Sequence, residues 1–268
     1  MSGPATEIPQ RAGTSSPVAV VTGASRGIGA GLADSFASHG FRLGLCARTE
    51  PGIPDGGDAL AAPVDVTDPV AVDRFAEAVI ARFGRIDLWV NNAALLGPIG
   101  SLVDLDPVEL ERHMATNVLG VLHGSAAFAR HLRTRTGGGS LVNLSSGAAT
   151  TPYRGWAAYC ASKAAVEMVT QVVGLEEQAT GLRAYAVSPG VVDTDMQASI
   201  RATPASRFPD VGRFLALRDD GAFASTDWVA RCILQRCWDR ATRLAPEPGR
   251  GAVVFRVPDP PAGDPGSA

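Results

Sequence analysis

Short apolar runs rich in Val, Leu and Ala alternate along the chain with longer stretches whose apolar residues return every three or four positions. The first run, 18–21, ends in Thr22-Gly23, and Ile28, Leu32 and Phe36 follow at i, i+4 and i+8 as the stripe of an amphipathic helix that Gly40 closes. Runs at 41–47 and 59–64 predict two more strands, joined by a Pro/Gly-rich connector at 51–57. Val72, Phe75, Val79 and Phe83 mark the next helix, and 86–90 a fourth strand. The second half predicts a long helix around 108–132, a strand at 140–144, a helix around 156–179, a strand at 183–187, a helix at 227–240 and a last strand at 252–257. The strands read as continuous apolar runs, which fits a parallel sheet covered by helices on both faces. That predicts a single α/β domain over 17–257, a doubly wound parallel sheet of about seven strands. Residues 191–226 break the rhythm with Pro204, Pro209 and mixed polarity, and read as a substrate loop or lid. Residues 1–16 and 258–268 are polar, Pro/Gly-rich and aperiodic, and read as disordered tails.

Composition narrows the function classes. A net charge of -3 over 268 residues gives no basic field for nucleic acid or an anionic membrane. No apolar stretch is long enough to span a bilayer, and no leader pattern opens the chain. Cys46, Cys160, Cys232 and Cys237 have neither metal-ligand spacing nor disulfide-scaffold density, and read as reduced thiols of a cytoplasmic protein. His39, His113, His123 and His131 show no metal-ligand pattern and read as structural or surface residues. Among the 24 basic residues, Lys163 is the single lysine, so that position has a chemical reason that arginine cannot meet.

Two motifs carry chemistry. Thr22-Gly23-Ala24-Ser25-Arg26-Gly27-Ile28-Gly29 joins the first strand to the first helix, where glycines permit a tight turn and backbone N–H groups face a pyrophosphate. No Gly-Lys-Ser/Thr follows, so it is not a P-loop, and its glycine spacing differs from G-x-G-x-x-G. Tyr159 and Lys163 lie four apart on a predicted helix and share a face. An ammonium beside a phenol favours the phenolate, so the spacing predicts a phenol pKa lowered toward neutrality, ready for acid/base work.

Together with Asn91-Asn92-Ala93, a serine 13 residues before Tyr159, and Pro189-Gly190 followed by Thr194, these motifs resemble the short-chain dehydrogenase/reductase family in content and order over about 17–257. Stretches such as Asn143-Leu144-Ser145-Ser146, Gly155-Trp156 and Asp193-Thr194-Asp195-Met196-Gln197 are similar to its sepiapterin reductases and bacterial benzil (1,2-diketone) reductases. The resemblance implies a Rossmann-type fold and roles residue by residue. Ser146 would hold the substrate oxygen, with Ser145 the lesser candidate, and Tyr159 would protonate that oxygen. Lys163 would bind the nicotinamide ribose, and Asn117 would position a water in a proton relay. Gly23, Ser25, Arg26, Gly27, Ile28 and Gly29 would cradle the dinucleotide. Asp65, Val66, Asn91 and Ala93 would lie on its adenosine side, and Pro189, Gly190, Val192, Thr194 and Met196 on its nicotinamide side.

Arg48 stands after the second strand, where an acidic residue would repel a 2′-phosphate, and with Arg26 it favours NADPH/NADP+. Leu95, Leu96, Tyr153, Trp156 and Met196 are candidate pocket walls. Ala94 replaces the glycine usual in the family, which is tolerable at negative φ, and Phe255 replaces an aspartate expected of a pterin reductase. The expectation is an NADPH-dependent carbonyl reductase for an apolar or aromatic 1,2-dicarbonyl. The alternatives are a pterin side-chain reductase, a 3-oxoacyl or polyketide ketoreductase, and a non-catalytic NADP(H)-binding regulator. The resemblance implies a homodimer or homotetramer through the two long helices, for which Val166, Val169 and Val173 offer an apolar stripe; the same stripe could instead face the sheet.

Overall fold

The computed structural model describes residues 16–219 and 223–261. Of the tails expected at 1–16 and 258–268, residues 1–15 and 262–268 lie outside the described residues. Seven parallel strands form one sheet: β1 (Val18–Thr22), β2 (Arg42–Ala47), β3 (Ala59–Pro63), β4 (Leu88–Asn91), β5 (Gly139–Leu144), β6 (Leu182–Ser188) and β7 (Ala252–Arg256). Their spatial order is β3-β2-β1-β4-β5-β6-β7. The chain winds outward from β1 to β3, then returns beside β1 with β4, so the crevice at the carboxyl ends of β1 and β4 is the topological switch point.

Alternate residues of each strand feed two cores, as the period-2 geometry of a strand requires. Ala19, Val21, Leu43, Leu45, Leu88, Val90, Val142 and Val187 pack against α1 (Gly27–Ser38) and α8 (Thr226–Ile233). Val18, Val20, Trp89, Leu141 and Ala184 face α2 (Pro69–Phe83) and α4 (Gly120–Arg133). Both sheet faces are dry, which explains runs without polar alternation. Local chemistry sets the helix ends. Asp68 and Asp106 cap α2 and α3 (Pro107–Met114), accepting from Val70 N at 2.9 Å and Val108 N at 2.9 Å, and a proline follows each cap.

The helix expected over 108–132 is α3, a π-helical turn at Ala115–Leu119, and α4. α5 (Ala157–Glu176) follows β5. The irregular 191–226 segment holds two helices, α6 (Asp195–Arg201) and α7 (Val211–Asp219), and an isolated parallel bridge pairs Val192 with Ala224. Among the described residues no helix is long and apolar enough to cross a membrane.

The valine stripe expected to meet a second copy is a correction. Val166 is fully buried, Val169 is half-buried and Val173 packs against the core beneath the sheet, because the α5 face bearing them is turned inward. The outward face carries Met168, Val172 and Leu175 instead.

Candidate active site

At the switch point, Gly23 and Gly27 take positive φ (66° and 57°), and the loop turns straight into α1. A Cβ on Gly23 would lie 2.7 Å from the Ala93 Cα, and one on Gly29 would lie 2.3 Å from the Gly23 carbonyl oxygen. No other residue fits this turn. Asn92 clamps it to the end of β4, its Nδ2 donating to the carbonyls of Thr22 (2.9 Å) and Gly23 (3.0 Å). Thr22 Oγ1 accepts in return from the backbone N–H of Asn92 (3.0 Å) and Ala93 (3.1 Å). Sequence reasoning named Asn91 and Ala93 and missed Asn92. The Asn91 side chain is buried and spent on the interior: Oδ1 accepts from Trp89 Nε1 at 2.8 Å, and Nδ2 donates to Asn143 Oδ1 at 2.8 Å and Ser125 Oγ at 3.2 Å. Only its backbone remains for a ligand. Ala93 and Ala94 both have negative φ, so alanine is accommodated in place of glycine.

The chemistry-bearing side chains converge beside this crevice. Ser146, just past β5, accepts from the Ala148 N–H at 3.2 Å and lies close enough to the Tyr159 phenol to influence its titration. Ser145 is buried and donates to Glu167 Oε1 at 2.8 Å, which leaves Ser146 as the serine that serves Tyr159. Lys163 Nζ lies over the Tyr159 ring, 5.6 Å from its centroid, and donates to the Leu144 carbonyl at 2.8 Å.

Proximity is as the spacing predicts, but the electrostatics are reversed. Burial pushes the Tyr159 phenol up to about 12, against a smaller downward pull from the Ser146 hydroxyl, and burial lowers the Lys163 ammonium to about 8. Desolvation of two fully enclosed groups outweighs the attraction expected from their spacing.

Asn117 lies in the π-helical turn, buried, with both ends of its amide on one residue: Oδ1 accepts from Leu95 N (2.7 Å) and Nδ2 donates to Leu95 O (2.9 Å). Leu95 thus presents its backbone to Asn117, while the Leu96 side chain is buried in an apolar cluster beside Tyr159.

The remaining sequence candidates ring the same crevice. Asp65 follows β3, exposed, with one carboxylate oxygen closing a turn onto Thr67 N at 2.9 Å. Val66 beside it is buried. Arg48 is exposed just past β2. Arg26 departs from expectation: its guanidinium bridges to Asp195 Oδ2 at 3.2 Å, across from the glycine loop to the start of α6. Both partners are about three-quarters exposed (73% and 76%), so the pair is weak and easily exchanged. After β6, Gly190 takes φ 79° with open space at its Cβ position, and Val192 is buried. Thr194 opens α6 without spending its hydroxyl on a cap, and its Cγ2 sits 3.5 Å from the Gly27 Cβ position. The features a dinucleotide requires are therefore present: a glycine cradle at a helix start, an uncommitted threonine hydroxyl, and a buried ammonium with one protein acceptor.

Against the other side of Tyr159 lies a third apolar cluster, separate from the two sheet cores, containing Leu96, Ala148, Trp156, Phe208, Val211 and Phe214, with Tyr153 and Met196 at its margin. Phe208 stacks on Trp156 (4.5 Å, 10°), and Trp156 meets Tyr159 edge-on at 5.3 Å. Polar contacts hold the 191–226 segment over this cluster. Arg154 donates to Asp210 through its backbone N–H and its guanidinium, both at 2.8 Å, and Arg207 donates to the Ile99 carbonyl at 2.8 Å. The Trp156 indole N–H is buried with no acceptor. Phe255 is not part of this cluster; it packs on the α1/α8 side with Arg236 over its ring at 5.6 Å, so its identity says nothing about the substrate wall.

Residues 17–205 match the short chain dehydrogenase family. The chain is 31% identical over 222 residues to a benzil reductase ((S)-benzoin forming) of Bacillus subtilis, covering 80% of this chain and 90% of that one. The crystal structure of the KRED1-Pglu enzyme superposes with a TM-score of 0.77 at 32% identity, covering 89% of this chain and 100% of that one. A 3-ketoacyl-(acyl-carrier-protein) reductase from Brucella melitensis, complexed with NADH, superposes with a TM-score of 0.73 at 25% identity, covering 90% and 96%.

Proposed function

The chain belongs to the short-chain dehydrogenase family, and from that premise we propose that it is an NADPH-dependent carbonyl reductase acting on an apolar or aromatic 1,2-dicarbonyl. The observation that carries this reading is the buried Ser146–Tyr159–Lys163 group at the carboxyl ends of the strands, with the glycine cradle on one side and an aromatic cluster on the other. Bound NADPH supplies the hydride. Ser146 holds the substrate oxygen, and Tyr159 delivers the proton to that oxygen as negative charge builds on it. With its phenol pushed up to about 12, Tyr159 is protonated at neutral pH, the state that reduction needs. Lys163 holds ribose hydroxyls with the N–H groups that Leu144 does not use, and Asn117 orders the relay behind it.

The aromatic cluster supports the substrate class. Trp156, Phe208 and Phe214 are packed on one another beside Tyr159, so an aryl ketone would gain ring contacts there only by displacing Phe208 from the Trp156 face, and the unpartnered Trp156 N–H is the donor that a second carbonyl would then satisfy. Arg48 supports NADPH over NADH, with Arg26 free to exchange Asp195 for a phosphate. A homodimer in the cytoplasm completes the reading.

NADPH and NADH consumption with a panel of 1,2-diketones, sepiapterin and 3-oxoacyl thioesters tests it. The diketones with NADPH are expected to turn over fastest. Tyr159→Phe is expected to lower kcat at least about a hundredfold at unchanged cofactor affinity; equal rates would remove Tyr159 from the reaction. Arg48→Asp is expected to raise the NADPH KM about thirtyfold, the worth of one charge-assisted hydrogen bond, and to leave that for NADH nearly unchanged. Equal effects on the two would assign Arg48 to solvent.

A further inference from the structure

His113 read as a structural or surface histidine in the sequence, yet it is fully buried and in hydrogen-bond contact with Gly97, Asn117 and Ser162. It stands on the last turn of α3, four residues before Asn117. Its Nδ1 lies 2.5 Å from the Gly97 carbonyl oxygen, which can only accept, so Nδ1 carries a proton. Its Nε2 lies 3.1 Å from Asn117 Nδ2 and 3.1 Å from Ser162 Oγ.

The proton count on that side is closed. Asn117 Oδ1 accepts from Leu95 N, which fixes the orientation of the amide, and one Nδ2 proton goes to Leu95 O. The second Nδ2 proton has His113 Nε2 at 3.1 Å and Ser162 Oγ at 3.3 Å as its acceptors. The Ser162 hydroxyl proton serves the Tyr159 backbone carbonyl at 2.8 Å. In the neutral Nδ1–H imidazole Nε2 therefore accepts; a proton placed there would oppose the Asn117 N–H and would have to turn to Ser162 Oγ at 3.1 Å or to the Ala158 carbonyl, taking the acceptor away from Asn117.

We propose that His113, as a neutral imidazole protonated on Nδ1, is a positioning residue that locks the Asn117 amide and the backbone at 95–97 in one register, and releases them when it takes up a second proton. The lock joins three pieces. Leu96 is a wall of the aromatic cluster, Asn117 sits in the π-helical turn, and Ser162 immediately precedes Lys163 on α5, where the Tyr159 ring meets the imidazole edge-on at 6.2 Å.

The charged and titratable groups facing the ring come from α5: Lys163, whose ammonium opposes a second positive charge, and Tyr159, neutral at ordinary pH. The 95–97 backbone brings no ionisable side chain, and the neighbouring Glu111 and Arg112 of α3 point to solvent. Burial first, and Lys163 in addition, hold the imidazole below its ordinary value, while the Gly97 and Ala158 backbone carbonyls work the other way. The lock is thus closed at neutral pH and opens only on the acid side.

This inference rests on the reading of Tyr159 as proton donor, and two measurements on the full chain separate the two. In long-range 1H–15N spectra the four histidines give four imidazole patterns. His113 is assigned by its loss in His113→Gln or, should that variant not fold, by elimination using His39→Gln, His123→Gln and His131→Gln. A neutral Nδ1–H tautomer at pH 7 is expected; an Nε2–H tautomer or an imidazolium at that pH overturns the proposal, whatever the enzyme turns over.

The second measurement is the pH profile of diketone reduction with NADPH. Wild type is expected to lose kcat in an acid limb below the ordinary histidine value of 6.5. His113→Leu, which leaves the Asn117 N–H without its acceptor, is expected to lower kcat about tenfold across the profile at unchanged cofactor KM. His113→Gln, whose carbonyl can still accept from Asn117, is expected to recover most of that loss and to show no acid limb. An acid limb retained in His113→Gln, or wild-type kcat in His113→Leu, overturns the proposal. Full activity in Tyr159→Phe would instead overturn the reading it rests on.

Discussion

In the proposed reading Lys163 serves chemistry at the expense of stability. Its ammonium is enclosed with a single protein acceptor, and burial lowers it from 10.5 to about 8. In the unfolded chain the amine holds its proton up to about pH 10.5, whereas in the folded, cofactor-free protein it gives that proton up near 8. The unfolded state thus binds more protons between these values, and the contribution of this residue to stability rises with pH through that window. Below pH 8 the enclosed charge costs about 3 kcal/mol relative to an exposed one. Cys46 and Tyr159, both pushed up to about 12 by burial, act with the opposite sign, losing stability as pH rises above the unfolded values of 9.0 and 10.0. The comparison therefore has to be a difference. Denaturant unfolding of wild type and Lys163→Met from pH 7 to 10.5 is expected to show the variant about 3 kcal/mol more stable at pH 7, with the gap closing toward pH 10.5. A gap that does not depend on pH would mean that the folded lysine is not desolvated. Saturation with dinucleotide is expected to narrow the gap at pH 7, since ribose hydroxyls give the ammonium the acceptors it lacks.

At the scale of elements, what the chain discloses depends on whether a signal is local. Strands buried on both faces write themselves as apolar runs, and β1 to β7 stand within a few residues of their expected places. The Tyr159/Lys163 pair was legible because four residues on a helix is one turn. Their electrostatics were not, because the sign depends on how fully the fold encloses them. The π-helical turn at Ala115–Leu119 was also hidden. Helical periodicity continues across it without proline or glycine, and its extra residue shows only in three dimensions, where it carries Asn117 against the Leu95 backbone. α6 and α7 escaped notice for a different reason. Pro204 and Pro209 punctuate the segment, and α7 buries only Val211 and Phe214, too few to print a stripe. Asn92 and His113 were passed over because each acts through backbone carbonyls or a distant partner, and no spacing in the sequence records such a bond. Arg26 is the converse: its place in the glycine loop was read correctly, and its partner Asp195 lies 169 positions away.

For the molecule as a whole, one apolar face left exposed after both cores are filled is the outer side of α4 and α5. Met168 (61% exposed), Val172 and Leu175 (53%) follow one another along α5, with Leu119 at the end of the π-helical turn and Leu122 in the first turn of α4. Ala164 continues the α5 row one turn earlier, and no charged residue occupies these six positions. A continuous apolar row on two neighbouring helices is poorly suited to water and well suited to a copy of itself related by a two-fold axis. Burying a methionine or leucine side chain contributes about 2 kcal/mol, and a two-fold interface presents each residue twice. Met168→Glu therefore removes about 4 kcal/mol before the carboxylates are desolvated, which is about a thousandfold in the dimer dissociation constant. Sedimentation equilibrium of wild type is expected to give a dimer at micromolar concentration, and Met168→Glu a monomer with an unchanged circular dichroism spectrum. Val173→Ala, on the inward face of the same helix, is expected to lower the unfolding midpoint without shifting the association equilibrium. A dimer undisturbed by Met168→Glu would move the interface elsewhere and leave the row on α5 without a partner.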